Sequence, residues 1–206
     1  MKANNIYKKY IKRLIDIIMS VVAIVLLIPI YIIMIIVLYV IQGKPIFFIQ
    51  KRMGLKGKEF KIYKFRTMKN NAEELIQNFT KEEKELYEKN YKLKNDNRIT
   101  SLGKILRKTS LDELPQFINI LKGDMSLIGP RPIVIKELEK YKEKKEEFLS
   151  VRPGLIGYWQ AYSKEDTTYE ERIEMELYYI RNESFVFDIK IFFKSIITVI
   201  KKAINN

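Results

Sequence analysis

The chain has 206 residues, with 38 lysines and arginines against 25 aspartates and glutamates, and a formal net charge of +13. This length predicts one domain plus an appendage, and the charge predicts an anionic partner: nucleic acid, an anionic membrane surface or a phosphorylated substrate. Histidine and cysteine are absent, which excludes Ser-His-Asp and Cys-His nucleophiles, a histidine base, ordinary zinc sites and disulfides, so any metal must be a hard, oxygen-bound cation such as Mg²⁺.

An apolar run from Ile17 to Ile41 is long enough to cross a hydrocarbon core of ~30 Å. Basic residues flank it on both sides: Lys8, Lys9, Lys12 and Arg13 before it, and Lys44, Lys51, Arg52, Lys56 and Lys58 after it. Because such residues collect on the cytoplasmic side of membranes, this distribution favours a hairpin over a span. We therefore predict a basic N-terminus and a re-entrant membrane helix over residues 1–42, bent near Pro29; a straight helix that tolerates proline is the alternative.

Residues 43–68 contain two β-prone runs joined by a glycine-containing segment, residues 54–57, which predicts a β-hairpin at the membrane surface. Basic and aromatic residues alternate along the second run, a mixture that suits nucleic acid, lipid headgroups or a phosphorylated ligand. A solvated strand face explains most of these lysines, and we keep Lys64 and Arg66 as candidate site residues.

Residues 71–94 are strongly charged and predict a solvated helix or a mobile excursion, to which we assign no chemistry. Asn95 to Arg98 predicts a turn that leads back into the domain.

Thr109 to Pro132 places an acidic pair, Asp112 and Glu113, near the start of a short helix. Ser110 and Glu113 fit a capping box, and Gly123 fits a helix stop. The apolar positions at helical spacing, which predict a buried face, are Leu114, Phe117, Ile118 and Leu121. Taken alone, the acidic pair is explained either by capping and the helix dipole or by a site.

The segment Gly129-Pro130-Arg131-Pro132 follows closely. Two prolines around an arginine fix its guanidinium in place, as phosphate recognition requires, although a rigid turn with a solvated arginine also fits.

The C-terminal third predicts a charged helical run over residues 137–147, a short extended segment from Leu155 to Tyr162 and a helix from Tyr169 to Asn182. Glu176 on that helix faces either water or a site. The last segment is an apolar helix with a narrow lysine stripe, which suits a membrane interface better than a protein core.

Six motifs follow one another along the chain: KPIFF (44–48), YKFRTM (63–68), RIT (98–100), SLDELPQ (110–116), GDMSLIGPRP (123–132) and RPG (152–154). In this order they resemble the bacterial sugar transferases, monotopic phosphoglycosyl transferases that start glycan assembly on polyprenol phosphate. The similarity runs from about Lys12 to Lys194, and we expect the short form of the family, essentially the catalytic unit.

The resemblance implies transfer of a phosphosugar from a UDP-sugar to polyprenol phosphate, with release of UMP, through a covalent intermediate on Asp112. It makes Glu113 a ligand of Mg²⁺ and places Lys64, Arg131 and Glu176 near the site, with Glu176 where aspartate is usual. Arg66, kept as a site candidate from its place in the hairpin, would bind substrate, and Arg152 would lie near the nucleotide.

The expected fold is α+β and mainly helical. A re-entrant membrane helix, a small β-hairpin and interfacial amphipathic helices surround a compact catalytic core, and residues 43–206 form the membrane-surface domain. We expect the bacterial inner membrane, cytoplasmic face, with an anionic lipid bilayer, UDP-sugar and polyprenol phosphate as partners, a homodimer as the possible assembly, and no nucleic acid.

Two positions depart from the family pattern. Asn97 replaces a usual proline, and residues 157–165 lack the usual Gly-Arg-Asn. The second departure leaves the sugar open, and the sequence does not reveal the pathway or the oligomeric state. Two other functions stay open: a non-enzymatic basic membrane adaptor, and a phosphohydrolase that uses the same aspartate with water as acceptor.

Overall fold

The computed structural model describes residues 6–90, 93, 95–164 and 166–204. Part of the predicted basic N-terminus (residues 1–5), part of the charged segment (91, 92 and 94) and residue 165 lie outside the described residues. The α-helices and strands, in chain order, are α1 (Lys12–Gln42), β1 (Phe47–Met53), β2 (Glu59–Phe65), α2 (Lys81–Asn90), α3 (Ser101–Thr109), α4 (Gln116–Lys122), β3 (Ser126–Ile128), α5 (Ile135–Leu138), α6 (Lys145–Phe148), β4 (Gly154–Ile156), α7 (Tyr158–Tyr162), α8 (Tyr169–Asn182) and α9 (Phe185–Ile204).

Two small sheets accompany these helices. Strands β1 and β2 pair antiparallel, and β3 and β4 pair parallel. The predicted class, α+β and mainly helical, is confirmed, and so is the β-hairpin after the apolar run.

Helix α1 runs without interruption from Lys12 to Gln42, through Pro29, after one π-helical turn (Tyr7–Ile11). Its buried residues lie at intervals along one side and are Lys12, Asp16, Ser20, Met34 and Leu38. The other sides expose apolar side chains, with Leu26 72% and Val40 75% exposed. Within the described ranges, residues 7–42 form the one helix that is long and apolar enough to cross a membrane. A return of the chain at Pro29 stays a prediction.

Buried polar contacts hold the first turns of α1 against the domain. The carboxylate of Asp16 accepts hydrogen bonds from the Leu127 amide at 2.8 Å and from the Ser126 hydroxyl at 3.1 Å. Lys12 Nζ donates to the Tyr179 hydroxyl at 2.9 Å and also contacts the carboxylate of Asp188. These bonds satisfy charged groups that would otherwise be expensive to bury.

The main apolar core lies between β2, α4, α8 and α9, and its fully buried members include Ile62, Ile120, Met125, Leu177 and Ile191. A second, smaller cluster joins α1 to α3 through Met34, Leu38, Phe65 and Leu106. The hairpin therefore has packing partners on both sides, the membrane helix and the main domain.

The predicted helix start at Ser110 is wrong. Ser110 adopts a left-handed conformation (φ 58°) that ends α3, and its side chain makes no capping bond. A separate 3₁₀ turn, Leu111–Glu113, carries the acidic pair, and α4 starts only after Pro115. The predicted stop at Gly123 is confirmed, with φ 85°.

The predicted buried face of α4 is also wrong in part. Ile118 is 43% exposed, whereas the polar residues Gln116 and Asn119 are buried with Ile120. Asn119 is buried because its carboxamide accepts from the Tyr63 amide at 3.0 Å and donates to the Lys61 carbonyl at 2.7 Å. The spacing of apolar residues cannot predict these hydrogen bonds between a side chain and the backbone of a strand.

In the C-terminal third, α8 has the predicted bounds and α9 is helical as expected. The run over residues 137–147 is broken instead into α5, a 3₁₀ segment (Glu139–Lys144) and α6, with a non-helical residue at Lys142 (φ 48°). Only Leu155 and Ile156 of the predicted extended segment (Leu155 to Tyr162) belong to a strand. The rest forms α7, where Tyr158 packs against Tyr178 and Phe187.

The predictions for the charged segment and for the turn that follows it agree with the structure. Helix α2 within the charged segment is largely solvated, and residues 95–98 form a turn. The exposed apolar side chains of α9 are Phe185, Val186, Ile189, Phe193, Ile196, Ile197 and Ile200. This face is compatible with the predicted membrane interface.

We expect Asp16→Ala to lower the free energy of unfolding by about 1–3 kcal/mol, because the buried Leu127 amide would lose its acceptor. Thermal and denaturant unfolding in detergent measure the change. The matched control is Asp166→Ala, since Asp166 is exposed. Equal stability of the two variants would contradict the assigned attachment of α1 to β3.

Candidate active site

A small cavity opens between the hairpin, the 3₁₀ turn and the segment after β3. Its polar lining is Arg52, Lys64, Glu113, Gln116, Arg131 and Gln160. Three residues proposed from sequence, Lys64, Glu113 and Arg131, are therefore brought together from separate parts of the chain.

The backbone on either side of Ser110 fixes the acidic pair. Helix α3 is capped by Thr100, whose hydroxyl accepts from the Gly103 amide at 2.9 Å, and ends in the left-handed Ser110. The following 3₁₀ turn rotates successive side chains by ~120°, so Asp112 and Glu113 need not share one partner. Asp112 is buried, with 7% exposure, and Glu113 lines the cavity.

Glu113 is paired directly with Lys64. Lys64 Nζ lies 2.5 Å from Glu113 Oε1, in a partly buried salt bridge. Burial alone would raise the pKa of Glu113, but Lys64 and Arg131 hold that pKa below its usual range. Glu113 is therefore a carboxylate at neutral pH.

Asp112 has a different environment. Burial, together with the neighbouring charge of Glu113, raises the pKa of Asp112 to about 6 against the opposing charge of Lys64. The group is still mostly ionised at pH 7, but poorly solvated. A desolvated carboxylate held in place is suited to nucleophilic attack.

Arg107 is a cation whose charge acts on Asp112, and no sequence pattern indicated it as a site residue. Its Nε donates to the Thr67 hydroxyl at 2.9 Å, and its charge opposes the rise in the pKa of Asp112. Arg107 lies on α3, five residues before Asp112. This spacing matches no regular helical pattern, because the left-handed Ser110 ends the helix between the two residues.

Arg131 is held by a tight crossing of two backbone segments. A Cβ at Gly154 would lie 2.1 Å from the Gly129 nitrogen, so the approach requires glycine. The Gly154 amide donates to the Pro130 carbonyl at 2.8 Å, and the Gly129 amide donates to the Ile156 carbonyl at 3.0 Å. These contacts place Arg131 at the cavity on a rigid turn.

Glu176 lies behind this turn and is fully buried. Its Oε1 accepts from the Arg131 amide at 3.1 Å, while Oε2 has no partner within the described residues. Burial raises the pKa of Glu176 to about 7, against the opposing charges of Arg172 and Arg131. The structure thus places Glu176 near the site, as predicted, but as a support for the Arg131 backbone.

Arg66 and Arg152 do not line the cavity. Arg66 donates to the carbonyls of Gln42 at 2.5 Å and Gly43 at 2.9 Å, where it closes the end of α1. Arg152 Nε donates to the Gly123 carbonyl at 2.9 Å. Both bind backbone oxygen atoms, which a motif cannot reveal, and the structure gives no support to their predicted contact with substrate.

Three lining residues were missed: Arg52, Gln116 and Gln160. Arg52 counted only as a flanking charge, although it belongs to the β-hairpin, in register with Phe60. Gln116 and Gln160 carry buried amide atoms with no partner in the described parts of the chain, Nε2 and Oε1 respectively.

The donors at the cavity fit an open magnesium site. The described residues contain no cluster of three or more His, Cys, Asp or Glu side chains able to hold a metal. Mg²⁺, however, is commonly held by one or two carboxylates together with substrate phosphates and water. Glu113, which lines the cavity, supplies one such carboxylate.

Comparison with known proteins gives a consistent result. A family profile described as bacterial sugar transferase matches residues 7–202. An undecaprenyl-phosphate galactose phosphotransferase from Salmonella typhimurium is 40% identical over 207 residues, covering 97% of this chain and 43% of the relative. An uncharacterized sugar transferase from Haemophilus influenzae is 40% identical over 205 residues, with the same coverage.

The exopolysaccharide production protein ExoY from Sinorhizobium fredii is 40% identical over 188 residues, covering 90% of this chain and 83% of the relative. The chain thus spans less than half the length of the Salmonella and Haemophilus relatives and most of the length of ExoY.

We expect Asp112→Asn to stabilise the folded protein by about 1–3 kcal/mol at pH 7.5. A carboxyl group with a raised pKa binds its proton more tightly in the folded state, so its contribution to stability falls as pH rises from about 4 to about 6 and is constant above. Asparagine does not titrate, and the gain should shrink toward pH 4.

Denaturant unfolding of wild type and variant at pH 4.5 and 7.5 measures this difference, with Asp124→Asn, outside the cavity, as the control. A difference that is the same at both pH values would contradict the assigned burial of an ionised Asp112.

Proposed function

Since the chain belongs to the bacterial sugar transferase family, we propose that it transfers a phosphosugar from a UDP-sugar to polyprenol phosphate, specifically undecaprenyl phosphate, with release of UMP. This reaction would be the first membrane step of bacterial glycan assembly. The observation that carries the proposal is a buried Asp112 directly before Glu113, which lines a cavity together with Lys64 and Arg131. The printed name of the Salmonella relative, a phosphotransferase on undecaprenyl phosphate, supports the acceptor.

In the first step, an Asp112 oxygen attacks the sugar-bearing phosphorus, and the phosphorus–oxygen bond to UMP breaks. UMP leaves with the electron pair of that bond. In the second step, an oxygen of polyprenol phosphate attacks the same phosphorus, and the Asp112 carboxylate is released unchanged. Two displacements on one fixed carboxylate separate the two anionic substrates in time.

The cations of the cavity offset charge on the phosphoryl group. Lys64 and Arg131 come from the hairpin and from a rigid turn, so their donors are positioned before substrate arrives. Such preorganisation is the main protein contribution to phosphoryl transfer.

Glu113 would hold Mg²⁺ together with substrate phosphate oxygens. A bound ion would polarise the phosphoryl oxygen as a Lewis acid. The protein itself prepares Glu113 for this role by keeping it ionised through Lys64 and Arg131.

We place the protein at the inner membrane with its domain on the cytoplasmic face. Contacts from both halves of α1 to one short segment support a re-entrant helix. Arg13 donates to the carbonyls of Ile120 at 2.6 Å and Leu121 at 2.8 Å, and the Tyr31 hydroxyl donates to the Leu114 carbonyl at 2.6 Å. In a straight helix Arg13 and Tyr31 would lie ~27 Å apart, whereas helical spacing from residue 114 to 121 covers only ~10 Å.

Mixing the protein with UDP-sugars in the absence of acceptor tests the chemistry. We expect at least one of UDP-galactose, UDP-glucose, UDP-N-acetylglucosamine and UDP-N-acetylgalactosamine to give a burst of about one UMP per enzyme. Asp112→Asn should abolish the burst and Asp124→Asn should keep it. Polyprenol phosphate should convert the burst into turnover.

Sustained turnover that yields free sugar phosphate without acceptor would identify a phosphohydrolase instead. No UMP release with any donor, together with salt-sensitive membrane binding, would favour the adaptor.

Because the chain contains no cysteine, single introduced cysteines report topology. We expect Lys9→Cys and Lys56→Cys to react with an impermeant maleimide only after the membrane is opened, because both lie on the cytoplasmic side of a re-entrant helix. Labelling of Lys9→Cys in intact cells would show that α1 crosses the membrane.

A further inference from the structure

We propose that Arg52 binds the phosphate of the leaving nucleotide. This inference rests on the proposed function and adds a residue to it. Arg52 lies in β1, lines the same cavity as Lys64 and Arg131, and would contact the phosphate that departs with UMP.

Hydrogen bonds hold the guanidinium of Arg52 in place, but they do not use all of its N–H donors. It donates to the Pro132 carbonyl at 3.1 Å and to the Gln50 amide oxygen at 2.6 Å, and lies 3.7 Å from a carboxylate oxygen of Glu137. Its Nε has no partner in the described part of the chain, and its side chain is 16% exposed. A fork of donors held at a cavity wall with an unpaired N–H is suited to phosphate oxygen.

The charge of the cavity points to the same ligand. Three cations, Arg52, Lys64 and Arg131, line it together with one carboxylate, Glu113. Burial, and then the neighbouring charge of Arg131, lowers the pKa of Arg52 to about 10. An anion between these groups would relieve the repulsion, and a diphosphate carries two phosphates to distribute among them.

Hydrogen bonds divide the cations of the cavity between two groups. Lys64 Nζ bonds Glu113, the residue next to Asp112, whereas Arg52 donates to the Pro132 carbonyl, next to Arg131. We therefore assign Lys64 to the sugar-bearing phosphate that Asp112 attacks, and Arg52 to the phosphate that departs with UMP.

Phosphoryl transfer places the attacking and leaving oxygens roughly in line. As Asp112 attacks the sugar-bearing phosphorus, the bond to UMP breaks on the opposite side, where the proposal places the guanidinium of Arg52. Negative charge then grows on the oxygen of the departing phosphate, and a guanidinium there stabilises it without transfer of a proton.

Binding of UMP and of uridine by the full chain in detergent tests the contact, since the two ligands differ by the phosphate alone. We expect wild type to bind UMP more tightly than uridine in titration calorimetry. Arg52→Gln should weaken UMP binding about 10- to 100-fold and leave uridine binding unchanged. Arg52→Lys keeps the charge without the fork and should fall between the two.

Arg181→Gln is the matched control, because it removes an exposed arginine that pairs with Glu147. Unfolding temperatures identify any variant that fails to fold, in which case Arg52→Lys carries the test. A purely structural role through Pro132 would weaken UMP and uridine alike, which overturns the inference, as does undiminished preference for UMP in Arg52→Gln. Wild type that binds UMP no better than uridine would overturn the proposed function as well.

Discussion

The ion pair between Lys64 and Glu113, 2.5 Å between Nζ and Oε1, is the interaction on which the site depends. It joins the hairpin to the 3₁₀ turn, keeps the partly buried Glu113 ionised, and limits the rise in the pKa of Asp112. Without a cation at this point, the two adjacent carboxyl groups would repel each other when both are ionised, and the pKa of one of them would rise strongly. The surroundings of Asp112 therefore combine desolvation, which raises its pKa, with positive charge from Lys64 and Arg107 that opposes the rise.

The membrane helix is connected to this site through the domain core. Asp16 of α1 bonds the Leu127 amide, and the strand that contains Leu127 runs directly into the turn that presents Arg131. Glu176 supports the same turn from behind through the Arg131 amide. The long apolar helix, a three-residue strand and the turn of Arg131 thus form one continuous structure, which suits the proposed enzyme, whose acceptor would lie in the membrane.

Sequence patterns predicted the elements that arise from local chemistry. The hairpin around Gly54, helix α8 and the stop at Gly123 follow from turn residues and periodicity. Lys64 and Arg131 were found from motif context. The left-handed Ser110, the buried Asn119 and the roles of Arg66 and Arg152 could not be predicted, because each depends on a backbone that only the tertiary fold supplies. Arg52 was not predicted as a site residue, because the basic flank of an apolar segment already explains an arginine at this position.

The claim at the centre of this account is that Asp112 itself carries the phosphosugar. Peptide mass mapping of protein quenched in acid after mixing with its UDP-sugar tests it most directly. Trypsin cleavage after Lys108 and Lys122 releases residues 109–122, which contain both Asp112 and Glu113, and fragmentation separates the two positions. We predict the added mass of one phosphosugar on Asp112, lost when polyprenol phosphate is added. Unmodified peptide during UMP release, or the same mass on another residue, would contradict the account.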